Sequence, residues 1–253
     1  MSGQGPTYNI GMNILAFELS TEACSVALWV DGDVRERHEI APRRHAELAL
    51  PWAEALLAEA GVAKSQLDAI AVGRGPGAFT GVRLGVAIAQ GIALALDRPA
   101  VPVSTLAALA MCAVALGAGE GDGVLAAIDA RMNEVYVAAY RLTREHDALR
   151  PMPTGLEQVL APDAVPLPDD GDAWFGVGTG FGALGGALAS RLPPDWRAVD
   201  AEALPHAADV VRLAHAALLR GEAVAPELLE PAYLRNQVAL TLVEQQALRA
   251  ARS

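Results

Sequence analysis

Ile14-Leu15-Ala16-Phe17-Glu18 is an apolar run ending in a carboxylate, and the pattern returns as Val124-Leu125-Ala126-Ala127-Ile128-Asp129. Both runs have the length and apolar content of buried strands. A second strand-like segment follows each, residues 25–30 after the first and 135–140 after the second. Ser20-Thr21-Glu22 separates the first pair, and Asp31-Gly32 reads as a hairpin turn. A strand–turn–strand opening repeated 111 positions apart predicts two lobes of like topology facing each other.

Outward from these openings, strands and helices alternate, which places the chain in the α/β class. A helix is predicted over 43–60 with Gly61 as its stop, then a strand over 69–72. A second helix is predicted over 80–96, ended by Asp97-Arg98-Pro99, then a strand over 99–103 and a helix over 105–116. Residues 144–172, rich in Pro, Asp and Gly, read as a long irregular connection. A strand over 174–177 enters Gly176-x-Gly178-x-Gly180-x-Gly182, and helices are expected over 183–191 and 207–220. The lobes are expected at 12–105 and 106–227, with 228–240 returning to the first. Residues 1–11 and 241–253 lack pattern and are expected to be disordered.

Composition excludes several classes. At 253 residues, 53% hydrophobic and 19% charged, the chain buries a sizeable core. Its net charge of −11 has the wrong sign for holding nucleic acid unaided, because phosphate neutralisation supplies most of that affinity. Cys24 and Cys112 are unclustered, which fits a reducing, cytoplasmic setting rather than a disulfide framework. The first eleven residues are polar, unlike a secretory leader. The longest apolar stretch, 84–96, holds 13 residues including Gln90 and Gly91 and reads as too short to cross a bilayer.

The run Gly73-Arg74-Gly75-Pro76-Gly77-Ala78-Phe79-Thr80-Gly81-Val82-Arg83 joins a strand to a helix start, an arrangement that can turn backbone N–H groups toward an anion. It lacks the Lys-Ser/Thr of a Walker A loop. Gly73, Gly75 and Ala78 meet the dinucleotide fingerprint only loosely, since no acid ends the next strand and Pro76 removes a donor. A tight turn needing glycine for positive φ is the competing reading. On the helix behind it, Gly81, Gly85, Ile88 and Ile92 share one face and Arg83, Val86, Gln90 and Leu94 the other. The first face is assigned to the lobe's own core. The preceding helix carries Leu48, Trp52, Ala55 and Leu56 on one side and Leu50 and Leu57 on another. Two adjacent helices this apolar are either core or covered by another protein. The five histidines show no ligand-like spacing and no Gly-x-Ser-x-Gly elbow is present. Glu18 and Asp129 could meet across a cleft and hold Mg²⁺ through water, or could be two solvated strand ends.

Residues 14–28, the GRGPGAFTGVRLG run from Gly73, Val103-Ser104-Thr105-Leu106-Ala107, Ala127-Ile128-Asp129-Ala130-Arg131 and Pro231-Ala232-Tyr233-Leu234-Arg235 together resemble the TsaB (YeaZ) family. The resemblance is strong over 13–140 and patchy beyond. It implies the two-lobed ASKHA fold of actin, Hsp70 and sugar kinases, with a duplicated ribonuclease-H-like core. It further implies a non-catalytic scaffold for TsaD in making threonylcarbamoyladenosine, at the adenosine next to the anticodon in tRNAs that read codons beginning with A. A TsaE-like ATPase docks on the pair, and tRNA is met through the complex. The catalytic sister carries a His-x-x-x-His metal pair where this chain has Thr105 and Leu109, and the family's usual Asp-Thr-Ser is Glu18-Leu19-Ser20 here. The implied cofactor set is therefore none of its own, with ATP and metal in the partner subunits. The implied partner interface comprises Leu48, Trp52, Arg83, Val86, Gln90 and Leu94, and a vestigial nucleotide cleft comprises Glu18, Ser20, Asp129, Gly178 and Gly180. A glycoprotease-like metal peptidase, a small ATP-dependent kinase and a homodimeric interaction module are the alternative readings.

Overall fold

A computed structural model describes residues 11–145, 148–168 and 172–235 of the chain. Two mixed sheets form its frame. The first contains β1 (Asn13–Glu18), β2 (Ala23–Val30), β3 (Asp33–Ile40), β4 (Ala69–Gly73) and β5 (Ala100–Val103) in the order β3-β2-β1-β4-β5. β1 runs antiparallel to β2 and parallel to β4, as a hairpin followed by helical crossovers requires. The second contains β6 (Gly123–Arg131), β7 (Glu134–Glu145), β8 (Ala148–Pro153), β10 (Trp174–Val177) and β11 (Ala198–Asp200) in the order β11-β10-β6-β7-β8, with β9 (Gln158–Leu160) also on β7. β6 repeats the pairing of β1, antiparallel to β7 and parallel to β10. The duplicated α/β opening thus builds two corresponding sheets.

Helices α1 (His45–Ala60) and α2 (Phe79–Leu96) cover one face of the first sheet, sharing a core with Phe17, Val26 and Val72. Gly61 at φ 67° and Asp97 at φ 53° end them in left-handed caps. Helix α3 (Thr105–Ala110), continued by a 3₁₀ turn over Met111–Leu116, packs on the second sheet through Leu106, Leu109 and Ala113. Helix α4 (Ala183–Gly186) is broken by Leu184 and Gly185 in left-handed conformation, so the expected helix over 183–191 is only short turns.

Three other expectations are corrected. Residues 144–172 are not one irregular connection, because β8 and β9 hydrogen-bond to β7 within it. β8 is an edge strand, where Pro151 and Pro153 cost no central ladder bond. Helix α5 (Ala207–Leu219) was assigned with the second lobe but lies on the first sheet, where Val210, Val211 and Ala214 pack against Ile14, Ala16 and Ala71. The chain then stays on the first sheet, where Val224 bridges Ala100 ahead of the expected return at 228, and the N–H of Ala232 donates to the Arg74 carbonyl within that expected return. Finally, α2, expected over 80–96, runs over Phe79–Leu96, and at 18 residues with mean hydropathy 1.6 it is long and apolar enough by length and composition to cross a membrane, where its 13-residue apolar stretch read as too short. In this fold its inner face packs on β4 and β1. The expected disordered ends, 1–10 and 241–253, lie outside the described residues, as do 236–240.

Candidate partner face and interlobe cleft

The glycine run is built for close approach. Gly75 has φ +100°, which disfavours a side chain. A Cβ on Gly77 would lie 2.3 Å from the Ser20 carbonyl oxygen, and one on Gly81 2.0 Å from that of Leu19. The N–H of Ala78 donates to the Ser20 carbonyl at 2.7 Å. These glycines therefore let the start of α2 rest on the turn between β1 and β2. The tight-turn reading with positive φ accounts for Gly75, while Gly77 and Gly81 are required by the close approach of the backbone.

Glu18 ends β1 but is sealed inside the lobe, at 1% exposure. The Ser20 N–H (2.8 Å) and hydroxyl donate to its Oε1, and the Thr105 hydroxyl to its Oε2 at 3.1 Å. Burial pushes its carboxyl pKa upward despite these bonds. A Cβ on Gly73 would collide with Oε2, so that glycine and Glu18 require each other. Thr105 also accepts from the Gly75 N–H at 3.2 Å, and Leu109 is fully buried. Thr105 and Leu109, the positions that the resemblance sets against a metal-binding histidine pair, therefore both serve the interior.

Asp129 ends the corresponding strand and does line the interlobe cavity, a cleft of about 890 Å³. Its Oδ2 pairs with Arg131 at 2.6 Å and its Oδ1 accepts the Arg131 N–H. Of the two readings open for these acids, the cation pair is not assembled, and Glu18 is no solvated strand end either, because it faces inward while Asp129 pairs with Arg131 of its own hairpin. Gly178 (φ +110°) and Gly180 are held on β6, where a Cβ would strike Ala127. Their N–H groups donate to Asp200 and Ala127 carbonyls. Of the five residues assigned to a nucleotide cleft, Ser20 and Asp129 line the cavity and Glu18, Gly178 and Gly180 do not. Contacts that the sequence did not reveal involve residues beside it. Arg83 donates to the Tyr233 hydroxyl at 2.7 Å and sits 3.5 Å over the Phe79 ring, and Arg235 pairs with Glu134 of the second lobe.

The face assignment of α2 is corrected. Val86 is 6% exposed and belongs to the core, along with Val82, Gly85, Ala89 and Ala93. Small residues occupy that side because the helix lies tightly on the sheet, while Ile88 and Ile92 pack at its flanks. The outward stripe is Arg83, Ala87, Gly91, Leu94 and Ala95. Leu94 is 56% exposed, and on α1 Leu50 is 47% exposed. Leu48 and Trp52 are half-buried on the core, and Gln90 donates to the Pro226 carbonyl at 2.8 Å. A Cβ on Gly91 would meet nothing within 4 Å. Histidines that looked scattered also converge: the rings of His38 and His206 stack at 4.0 Å.

Residues 38–241 match the model of the family described as TsaD, tRNA N6-adenosine threonylcarbamoyltransferase. The chain is 43% identical over 235 residues to the tRNA threonylcarbamoyladenosine biosynthesis protein TsaB of Escherichia coli strain K12, covering 90% of this chain and 96% of that one. It is 39% identical over 233 residues to the protein of that name from Haemophilus influenzae, covering 90% and 95%. The solved structure of YeaZ from Pseudomonas aeruginosa superposes with a TM-score of 0.79 at 48% identity, covering 88% of this chain and 100% of that chain. Sheets, glycine run and relatives agree: the chain belongs to the TsaB (YeaZ) family, within the wider group that the TsaD model describes.

Proposed function

We propose that the chain is a non-catalytic subunit for threonylcarbamoyladenosine synthesis in tRNA, binding a TsaD-like catalytic subunit through the outward faces of α1 and α2. The family supports the pathway. The observation that carries the interface is Gly91. An exposed glycine inside a helix costs about 1 kcal/mol relative to alanine. Among the described residues nothing approaches Gly91 to explain it, but a second helix crossing there would need that space. Ala87 and Ala95 keep the same surface low, and Leu50 and Leu94 offer apolar anchors beside it. The proposed interface is Leu48, Leu50, Trp52, Arg83, Gly91 and Leu94, with Gln90 at its edge; Val86 is withdrawn from it.

A scaffold role is supported by the inward commitment of Glu18, Thr105 and Leu109, which takes these three positions out of the cleft. ATP and metal then belong to the partners, with a TsaE-like ATPase docking on the pair and tRNA bound by the complex. Burial pushes the Cys24 and Cys112 thiols up to about 12, which disfavours the thiolate a nucleophile needs. Size-exclusion chromatography with and without a TsaD-like subunit tests the reading. A stable heterodimer is expected, and a chain that elutes unchanged in the mixture contradicts it.

A further inference from the structure

We propose that Glu36, His38 and His206 form a site for a late first-row divalent cation, Zn²⁺ being the fitting ion, that ties the edge of the first sheet to the start of α5. Glu36 and His38 lie on β3, two residues apart and so on one face of the strand. His206 immediately precedes α5. One donor atom from each of the three lies within 4.8 Å of the others, and Glu36 Oε2 is 3.1 Å from His206 Nδ1.

Two features point to a ligand beyond proximity. Nδ1 of His38 is buried and makes no hydrogen bond, a cost that native structures rarely leave uncompensated. The carboxylate is also already oriented. Oε1 of Glu36 accepts from the Ser25 hydroxyl (2.7 Å) and the Ala208 N–H (3.0 Å). Outer partners of this kind fix metal-ligating carboxylates, and here they leave Oε2 turned to the histidines.

Two imidazoles and one carboxylate are the donor set of three-ligand zinc sites, which keep a fourth position for water. The same set disfavours Mg²⁺ and Ca²⁺, which take oxygen ligands. Zinc–ligand bonds of about 2.0–2.2 Å place tetrahedral donors roughly 3.4 Å apart. The group therefore closes by about 1.4 Å at most, with the two stacked rings fanning apart around the ion. The site joins positions 36–38 to 206, and an ion bound only in the folded chain stabilises it by mass action.

The test is metal uptake by the tag-free full chain. Co²⁺ is titrated while the visible spectrum is recorded, and Zn²⁺ retention after dialysis is measured by elemental analysis. One ion per chain is expected, with the visible absorption of four-coordinate Co²⁺ that excess Zn²⁺ bleaches. Zn²⁺ at about a hundredfold over its Kd should raise the melting temperature by on the order of 5 °C. His38→Gln and His206→Gln should each abolish uptake. His215→Gln, which alters a ring stacked on Trp29 away from the ligand group, should retain it. Circular dichroism establishes that each variant is folded. Should His206→Gln fail to fold, His38→Gln decides alone, because it lies on the edge strand and its stacked ring is its only described contact of this kind. Absence of retained metal, or uptake unchanged in His38→Gln, overturns the proposal.

Discussion

Placing a carboxylate on each side of α2 separates the proposed interface from the core. Leu94→Glu changes a side chain that is 56% exposed, so the monomer loses little buried area. The new charge lies near the negative end of the helix dipole and costs about 0.3–1 kcal/mol. For a chain of this size that lowers the melting temperature by no more than about 4 °C. In the complex the same carboxylate is desolvated without a partner, a penalty of several kcal/mol. At 1.4 kcal/mol per decade, affinity for the TsaD-like subunit should fall by about two orders of magnitude or more. Val86→Glu behaves oppositely. Its side chain is 6% exposed within the core on β4, and an unpaired charge there consumes much of the roughly 5–15 kcal/mol that holds a domain folded. Thermal melts of both variants and calorimetric titration of Leu94→Glu read the two outcomes. A folded Val86→Glu, or a Leu94→Glu that binds like the parent, refutes the reasoning.

Three further outcomes follow from particular residues. Burial raises the Glu18 pKa, so the folded state favours the protonated acid; stability is fully present below about 4.5 and declines as pH rises toward the folded value. Glu18→Gln should therefore gain on the parent by up to about 1.4 kcal/mol per pH unit in that window, and denaturant melts showing a pH-independent difference would contradict it. Gly91→Ala should stabilise the monomer by about 0.5–1 kcal/mol, since its Cβ meets nothing, whereas Gly178→Ala should destabilise it by more, since its Cβ falls 2.2 Å from the Ala127 carbonyl oxygen at φ +110°. At net charge −11 the isolated chain should bind tRNA no more tightly than about 10⁻⁴ M at physiological salt; submicromolar binding in a filter assay would refute this.

The frame was legible because strands ending in acids and helices ending at Gly61 and Asp97 are local signals. The faces of α2 were not, because a helix apolar nearly all round gives hydrophobicity nothing to distinguish. Size was the usable signal: Gly85, Ala89 and Ala93 trace the side that lies closest to the sheet. β8 was missed because prolines argue against a central strand, and its edge position removes that objection. The crossing of α5 to the first lobe depends on tertiary packing that no local pattern encodes. The cleft reading failed at Glu18 for a related reason. A strand-end carboxylate looks the same in sequence whether it faces solvent or, as here, is capped by Ser20 and by Thr105 from 87 residues away. His38 and His206 could be paired only by the fold.

The most direct test is threonylcarbamoyl transfer to tRNA by a TsaD-like subunit and its ATPase, measured with and without this chain at matched concentrations. Transfer should depend on the chain and should titrate with formation of the heterodimer. Equal transfer in its absence would contradict the scaffold role.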